Sequence, residues 1–396
     1  MSFINSLDEH LKKLQQQQLY RSRRVVESAQ DITLTLNNRT LLNFCSNDYL
    51  GLANHPDLKK AFKCAADNYG VGSGGSQLIT GHQKPHHALE EELSDFLGCE
   101  RVLLYSTGYM ANLGVVSALS DRQDEIFEDK LNHASLIDAA LLSRAKLKRF
   151  SHKEHSILEQ QLIDSNADSK FVISDGVFSM DGDKADVKQL VNVTQKQNAI
   201  LMLDDAHGVG VLGSTGRGIV EETNIILSAE TLPILVGTFG KAFGTFGAFV
   251  AGSNALIEVL INTSRSYIYT TAMPAAVAEA TRTSLKLIRQ GHDLREKLQE
   301  NIQYFRKACL ENNLPISAEP EYGKYSAIQP LVIGSAKKTL ALSQALQAQG
   351  FLISAIRPPT VPQGTSRLRV TFSANHTTEQ IEKLVEALIV NIKVTE

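Results

Sequence analysis

A chain of 396 residues is longer than one hydrophobic core usually supports, so one large and one smaller domain is the natural expectation. Its composition, 43% apolar and 21% charged with a net charge of −3, is that of an ordinary globular protein and gives no electrostatic argument for a nucleic-acid or acidic-membrane partner. No apolar run approaches the roughly 18 residues that span a bilayer, the polar start with glutamines at 15–18 reads as neither signal nor transit peptide, and four scattered cysteines form no metal-type pair, so a cytoplasmic protein without a metal is expected.

Residues 1–50 read as an N-terminal segment. An amphipathic helix is predicted over 4–24, with a basic end at Arg21, Arg23 and Arg24. Apolar alternation over 32–36, the pair Asn37-Asn38 and a second run over 41–44 then predict a β-hairpin. Over 51–285 helical stretches, among them 57–68, 88–97 and 186–198, alternate with β-rich runs. The runs fall at 101–105, 171–174, 199–203, 234–236 and 248–251, so the segment reads as a large α/β domain around a mostly parallel sheet. A long helical stretch over 275–313 leads into the last block, 286–396. Its strand-like runs at 327–333, 351–355 and 367–372, with helices at 338–349 and 377–393, predict a small α+β domain.

Lys241 is the most informative residue. It follows an apolar, strand-like run, has Gly237, Gly240 and Gly244 around it, and has no charged residue within five positions on either side. An amine in such surroundings is a candidate for a depressed pKa and for Schiff-base chemistry. Upstream, Leu203-Asp204-Asp205-Ala206-His207-Gly208 carries a strand into an acidic pair and a histidine, where α/β sheets bind ligands. Asp204 is suited to a cationic ring nitrogen and His207 to an adjacent oxygen; a helix-capping aspartate with a packed histidine is an equally good reading of this motif alone. The turn Ser106-Thr107-Gly108-Tyr109 opens a helix whose free amides suit a phosphate, or it is a plain N-cap. His133 precedes a helix and either stacks on a planar ring or is a structural histidine, the commoner case. Ser179, before the turn Asp181-Gly182, is positioned for a ring substituent, although Asp-Gly is also simply a good turn.

Two glycine patterns, 70–75 and 208–213, satisfy G-x-G-x-x-G but do not run from a strand into a helix, so neither reads as a dinucleotide site. Gly240-Lys241 is not a phosphate-binding P-loop, because position 235 is leucine and position 242 alanine. A phosphate site, a ring-nitrogen carboxylate, a stacking histidine and a glycine-flanked lysine are together what pyridoxal phosphate requires.

The motifs Asn43-Phe44-Cys45-Ser46-Asn47-Asp48-Tyr49-Leu50-Gly51, Gly72-Ser73-Gly74-Gly75-Ser76, 175–183, 204–208 and 238–241 occur in an order that resembles the α-oxoamine synthase family, over nearly the whole chain. The resemblance implies a fold type I, aspartate aminotransferase-like pyridoxal-phosphate fold. Those enzymes join an amino acid to an acyl thioester with loss of carbon dioxide. It implies Lys241 as the Schiff-base lysine and Cα base, Gly108, Tyr109 and Thr238 at the phosphate, and His133 over the ring. Ser179 and His207 would lie on the ring-oxygen side and Asp204 at the ring nitrogen. Thr270 and Thr271 would come from the partner subunit of a homodimer. Arg21, Asn47, His133, Thr360 and Arg369 would meet substrate. The segment 355–369 points within the family to L-alanine and a pimeloyl thioester (pimeloyl-CoA or pimeloyl-acyl carrier protein), as in biotin biosynthesis. A glycine C-acetyltransferase is the near alternative, an aminotransferase a further one, and a non-catalytic regulator of the same fold another.

Overall fold

The computed structural model describes residues 3–17, 19–316 and 323–395; Gln18, the last of the glutamine run, lies outside them. Helix α1, Phe3–Gln16, buries no residue. It is shorter than the predicted 4–24 because the amides of Leu19 and Tyr20 both turn back to the Leu14 carbonyl, closing the helix before the arginines. Arg21 belongs instead to a bridge toward the other end of the chain: Arg357 donates to the Tyr20 carbonyl at 3.0 Å and Arg21 to the Thr360 hydroxyl at 3.4 Å.

The predicted hairpin is present. β1, Thr33–Leu36, pairs antiparallel with β2, Arg39–Asn43, and Leu36 faces Arg39 across a two-residue turn. Asn37 and Asn38 have φ of 50° and 58°, the left-handed pair that a type I′ turn demands. Helices α2, Pro56–Tyr69, and α3, Lys84–Leu97, follow, both with proline in the first turn.

The central sheet comprises β3, Arg101–Tyr105; β4, Glu125–Asp129; β5, Lys146–Phe150; β6, Lys170–Asp175; β7, Ile200–Asp204; β8, Ile234–Thr238; and β9, Ala248–Gly252. Their order is β3-β9-β8-β7-β6-β4-β5, all parallel except β9, which runs antiparallel to both neighbours. Strands β4 and β5 escaped sequence reading because Glu-Ile-Phe-Glu-Asp and Lys-Leu-Lys-Arg-Phe are rich in charge. Both faces of the sheet are covered. Phe127, Val172, Leu203, Leu235 and Phe249 pack on one side. Ile126, Ile173, Met202, Val236 and Val250 pack on the other, with α4, Gly108–Leu119, and α5, Ala134–Ser143.

The long helical stretch breaks at Gly291 into helices Ala275–Gln290 and His292–Glu311. The buried Arg295 guanidinium fills the break, donating to the Ile288 carbonyl at 2.6 Å and to that of Ser214 at 2.9 Å. In the C-terminal part, β10, Ile328–Gly334, pairs with β13, Ser366–Thr371. The run expected as one strand over 351–355 is two. β11, Phe351–Leu352, adds to β2 of the hairpin, whereas β12, Ser354–Ile356, adds to β13. Ile353, 1% exposed, is the point where the chain changes sheets. No helix among the described residues is long and apolar enough to cross a membrane.

Candidate active site

The carboxyl ends of the parallel strands converge. Asp175 closes β6 and Asp204 closes β7, in register with each other, and Val236 of β8 faces Asp204. Three residues beyond β8 the backbone amide of Gly244 bonds to the Lys241 carbonyl, a tight turn that directs the lysine side chain back into the strand ends. Its Nζ lies 2.7 Å from His207 Nε2. Burial holds the amine well below the usual lysine range, at about 8, with Asp204 and Asp175 pulling the other way. Burial and the Lys241 charge likewise keep His207 far below its usual value, so the imidazole is neutral. Its Nδ1 meets the Tyr49 hydroxyl at 2.7 Å.

Tyr49 extends the site in a direction the sequence did not single out. Its hydroxyl donates to Asn47 Oδ1 at 3.1 Å, and the Arg369 guanidinium donates to the same oxygen at 3.3 Å. Arg369 Nε also donates to the Ser179 carbonyl at 2.6 Å. Lys241, His207, Tyr49, Asn47, Arg369 and Ser179 are therefore one connected set drawn from five stretches of chain. The signal for Tyr49 was present in the motif at 43–51; the contact across 158 positions was not.

Around Asp204 a second network forms. Asn112 Nδ2 donates to Asp204 Oδ2 at 2.7 Å and to the Ser135 hydroxyl at 2.9 Å, and that hydroxyl lies 2.8 Å from His133 Nδ1. His133 caps α5, its Nδ1 accepting from the Ser135 amide. Nδ1 is thus an acceptor, and the neutral ring carries its proton on Nε2; burial lowers its pKa, and Asp204 and Lys241 are among the charges it feels. The structural and the site readings of His133 are compatible: its backbone amide binds Asp175 Oδ2 at 2.9 Å, which fixes the cap at the strand ends. Neither Asn112 nor Ser135 stood out in the sequence, because each is one polar residue in an ordinary helix.

Asp205 does not share the work of Asp204. It is fully buried and turned away, its Oδ2 accepting from the Ile219 amide at 2.7 Å. An added Cβ at Gly208 or Gly218 would lie 2.0 Å from its carboxyl, so those glycines are the room it occupies. Within the 208–213 glycine pattern, Gly208 makes room for Asp205, Gly210 for Ala242 and Gly213 for Glu221, so each glycine has a packing reason of its own.

At the start of α4, Thr107 Oγ1 takes the Met110 amide and the Thr107 carbonyl takes that of Ala111. The amides of Gly108 and Tyr109 are the first-turn donors that remain. A Cβ on Gly108 would come 3.8 Å from Thr238, so the helix start and the end of β8 form one cradle. Tyr109 is 43% exposed and its hydroxyl binds Asp138 of α5. Thr271 pairs with Ser76, and its carbonyl accepts from the Ser106 hydroxyl at 3.4 Å. Among the described residues, no recorded hydrogen bond of Thr270 or Thr271 reaches Lys241 or Asp204. Arg21 and Thr360 meet each other at 3.4 Å.

The donor set suits pyridoxal phosphate: an amine near neutrality, a carboxylate two hydrogen bonds of which are already made, and an amide-lined helix start with a hydroxyl opposite. Asn112 Oδ1, buried beside Asp204 without a hydrogen-bond partner among the described residues, marks polar capacity left over in the site. The sheet order and this site define a fold type I pyridoxal-phosphate enzyme.

The family model for aminotransferase class I and II matches residues 39–388. A curated 8-amino-7-oxononanoate synthase of Methylococcus capsulatus is 53% identical over 378 residues, covering 96% of both chains. Another, of Saccharophagus degradans, is 51% identical, covering 98% of this chain and 96% of the relative. Among solved structures, a serine palmitoyltransferase of S. paucimobilis with a bound PLP–myriocin aldimine superposes with a TM-score of 0.92 at 28% identity, covering 100% of this chain and 98% of that one. An 8-amino-7-oxononanoate synthase of Francisella tularensis gives 0.76 at 33% identity, covering 89% and 98%. The chain belongs to the α-oxoamine synthases, within the aminotransferase class I and II family.

Proposed function

We propose that this enzyme condenses L-alanine with a pimeloyl thioester, releasing carbon dioxide and a free thiol and giving 8-amino-7-oxononanoate, a step of biotin biosynthesis. The observation that carries the choice of acyl chain is the meeting of Arg21 with Thr360 across 339 positions. A guanidinium is an excess feature for an acetyl group and a fitting one for the far carboxylate of a pimeloyl chain.

Pyridoxal phosphate, when bound, supplies an electron sink for the carbanion at the alanine Cα. Lys241 would hold its carbonyl carbon, Gly108, Tyr109 and Thr238 its phosphate, Asp204 its ring nitrogen and His133 its ring face, with Ser179 and His207 toward the ring oxygen. The Lys241 amine, kept near 8, is matched to taking the Cα proton and returning one after decarboxylation. Neutral His207 accepts from or donates to Nζ without adding a charge. Arg369, fixed by Ser179 and Asn47, presents its remaining N–H groups to the alanine carboxylate. The exposed side chains of Leu78, Ile79 and Tyr269, near Thr270 and Thr271, support a homodimer in which those threonines serve the partner's site. A cytoplasmic setting accords with the free cysteines.

The deciding measurement compares holoenzyme turnover with alanine and pimeloyl-CoA or pimeloyl-acyl carrier protein against glycine and acetyl-CoA, read as thiol release. A higher kcat/KM for the glycine and acetyl pair would overturn the reading. Arg21→Ala is expected to raise the KM for the pimeloyl thioester roughly tenfold with kcat little changed, the signature of lost uniform binding.

A further inference from the structure

Outside the Lys241 site, one cluster of metal-ligating side chains has no assigned work. His82, His87 and Glu90 bring one ligand atom each to within 4.8 Å of one another. His87 and Glu90 lie three residues apart on α3 and so share a face. His82 follows the short helical turn Gln77–Gly81. The three line a surface cavity of about 430 Å³.

Two features set these residues apart from chance neighbours. His82 Nδ1 lies 3.0 Å from Gln77 Oε1, which only accepts, so Nδ1 carries the proton and the Nε2 lone pair is left. That lone pair faces Glu90 Oε2 at 4.0 Å. This is how an outer-shell partner fixes the tautomer of a metal-bound histidine. Glu90 is the second feature. Its Oε1 is held by the Leu104 amide at 3.1 Å, which fixes the side chain with Oε2 toward His82. His86, between the two ligands in sequence, is excluded: its Nδ1 accepts from the Gln83 amide and its Nε2 donates to the Met273 carbonyl at 2.7 Å.

We propose that His82, His87 and Glu90 form a site for a divalent transition-metal ion of the Zn²⁺ class, with water completing its coordination. Two imidazoles and one carboxylate are a donor set for such ions rather than for Mg²⁺ or Ca²⁺. Zn–N and Zn–O bonds near 2.0–2.1 Å put tetrahedral ligands about 3.3 Å apart. The observed spacing closes by up to about 1.5 Å through rotation of the exposed histidines onto the fixed carboxylate. The competing exposed pair of His87 with Glu91, at 3.4 Å, is of a kind that contributes little. A bound ion ties the turn Gln77–Gly81 to α3. Because Gly75 and Ser76 pair with Ala272 and Thr271, it also braces the strap carrying Thr270 and Thr271. Sequence reading, which expected no metal, had no cysteine pair to follow and did not consider these histidines.

The test uses untagged, metal-free holoenzyme with Cys64→Ser to remove the exposed thiol, titrated calorimetrically with ZnCl₂. One ion per chain is expected, at a micromolar or tighter Kd and undiminished by excess Mg²⁺. His82→Gln and His87→Gln should each weaken it at least tenfold while the cofactor absorbance stays unchanged. Zn²⁺ should raise the melting temperature of the parent and not of the double variant. Binding no tighter than about 0.1 mM, equal binding by the double variant, or displacement by Mg²⁺ would overturn the proposal.

Discussion

At the scale of single residues, the chain Asp204–Asn112–Ser135–His133 has a direction. Both amide protons of Asn112 are given away, one to the carboxylate and one to the hydroxyl, so the hydroxyl proton is free to point at His133 Nδ1. Asp204 is thereby oriented before any ring nitrogen arrives. A hydrogen bond to a charged group contributes about 1.5–3 kcal/mol. Asn112→Leu is therefore expected to weaken cofactor retention on the order of tenfold to a hundredfold, measured by dialysis followed by absorbance, with the fold intact by circular dichroism. Glu128 shows the opposite case. It is fully buried on β4, neither carboxyl oxygen has a hydrogen-bond partner among the described residues, and burial raises it to about 8. The folded chain thus holds a proton there that the unfolded chain releases near its ordinary value of about 4.3. Stability from this group falls as pH rises between those two values and levels off above the folded one. Melting curves at pH 6 and pH 9 should differ less in Glu128→Gln than in the parent.

At the scale of elements, the loop from β7 to the helix Ile219–Thr223 is shaped around one carboxyl. Gly218 has φ of 87° and its missing Cβ would stand 2.0 Å from Asp205 Oδ2. Gly218→Ala combines left-handed strain with overpacking and is expected to destabilise the fold by about 2–4 kcal/mol, read by urea unfolding. The sequence reading chose Asp204 because it ends the strand, but the partner of Asp205, the Ile219 amide 14 positions on, was not legible there. Other elements were readable for local reasons. The Asn37-Asn38 turn, the helical stretch of α2 and the apolar runs of β6 to β9 each carry their cause within a few residues. The split of 351–355 between two sheets does not, because its partners are supplied by β2 and β13. The path of the chain after α1 likewise depends on Arg357 and Thr360. Tyr49 and Asn112 were missed for the same reason: each acquires its role only by contact with a residue 92 or more positions away.

At the scale of the whole molecule, the ends of β3, β4, β6, β7 and β8 all contribute to one site, so a bound cofactor cross-links most of the large sheet. A ligand present at 100 times its Kd stabilises by about 2.7 kcal/mol. For a chain this long that corresponds to a melting temperature lower by about 5 °C once the cofactor is removed, since 1 kcal/mol moves large proteins by some 2–4 °C or less. Scanning calorimetry of the two forms is the check, and coincident curves would show that the site is not coupled to global unfolding.

The pairing of β2 with β11 has a consequence for how the chain is made. The hairpin's open edge is completed by Phe351–Leu352, and Arg39 donates to the Ala348 carbonyl, 309 positions later. At a ribosomal pace of about 5–20 residues per second, that edge waits roughly 15–60 s for its neighbour to emerge. The charged Arg39 at the strand's start and the brevity of the hairpin guard an unpaired edge through that interval. The first strands synthesised are among the last to be sealed, so the beginning of this chain cannot be finished until its end is nearly out.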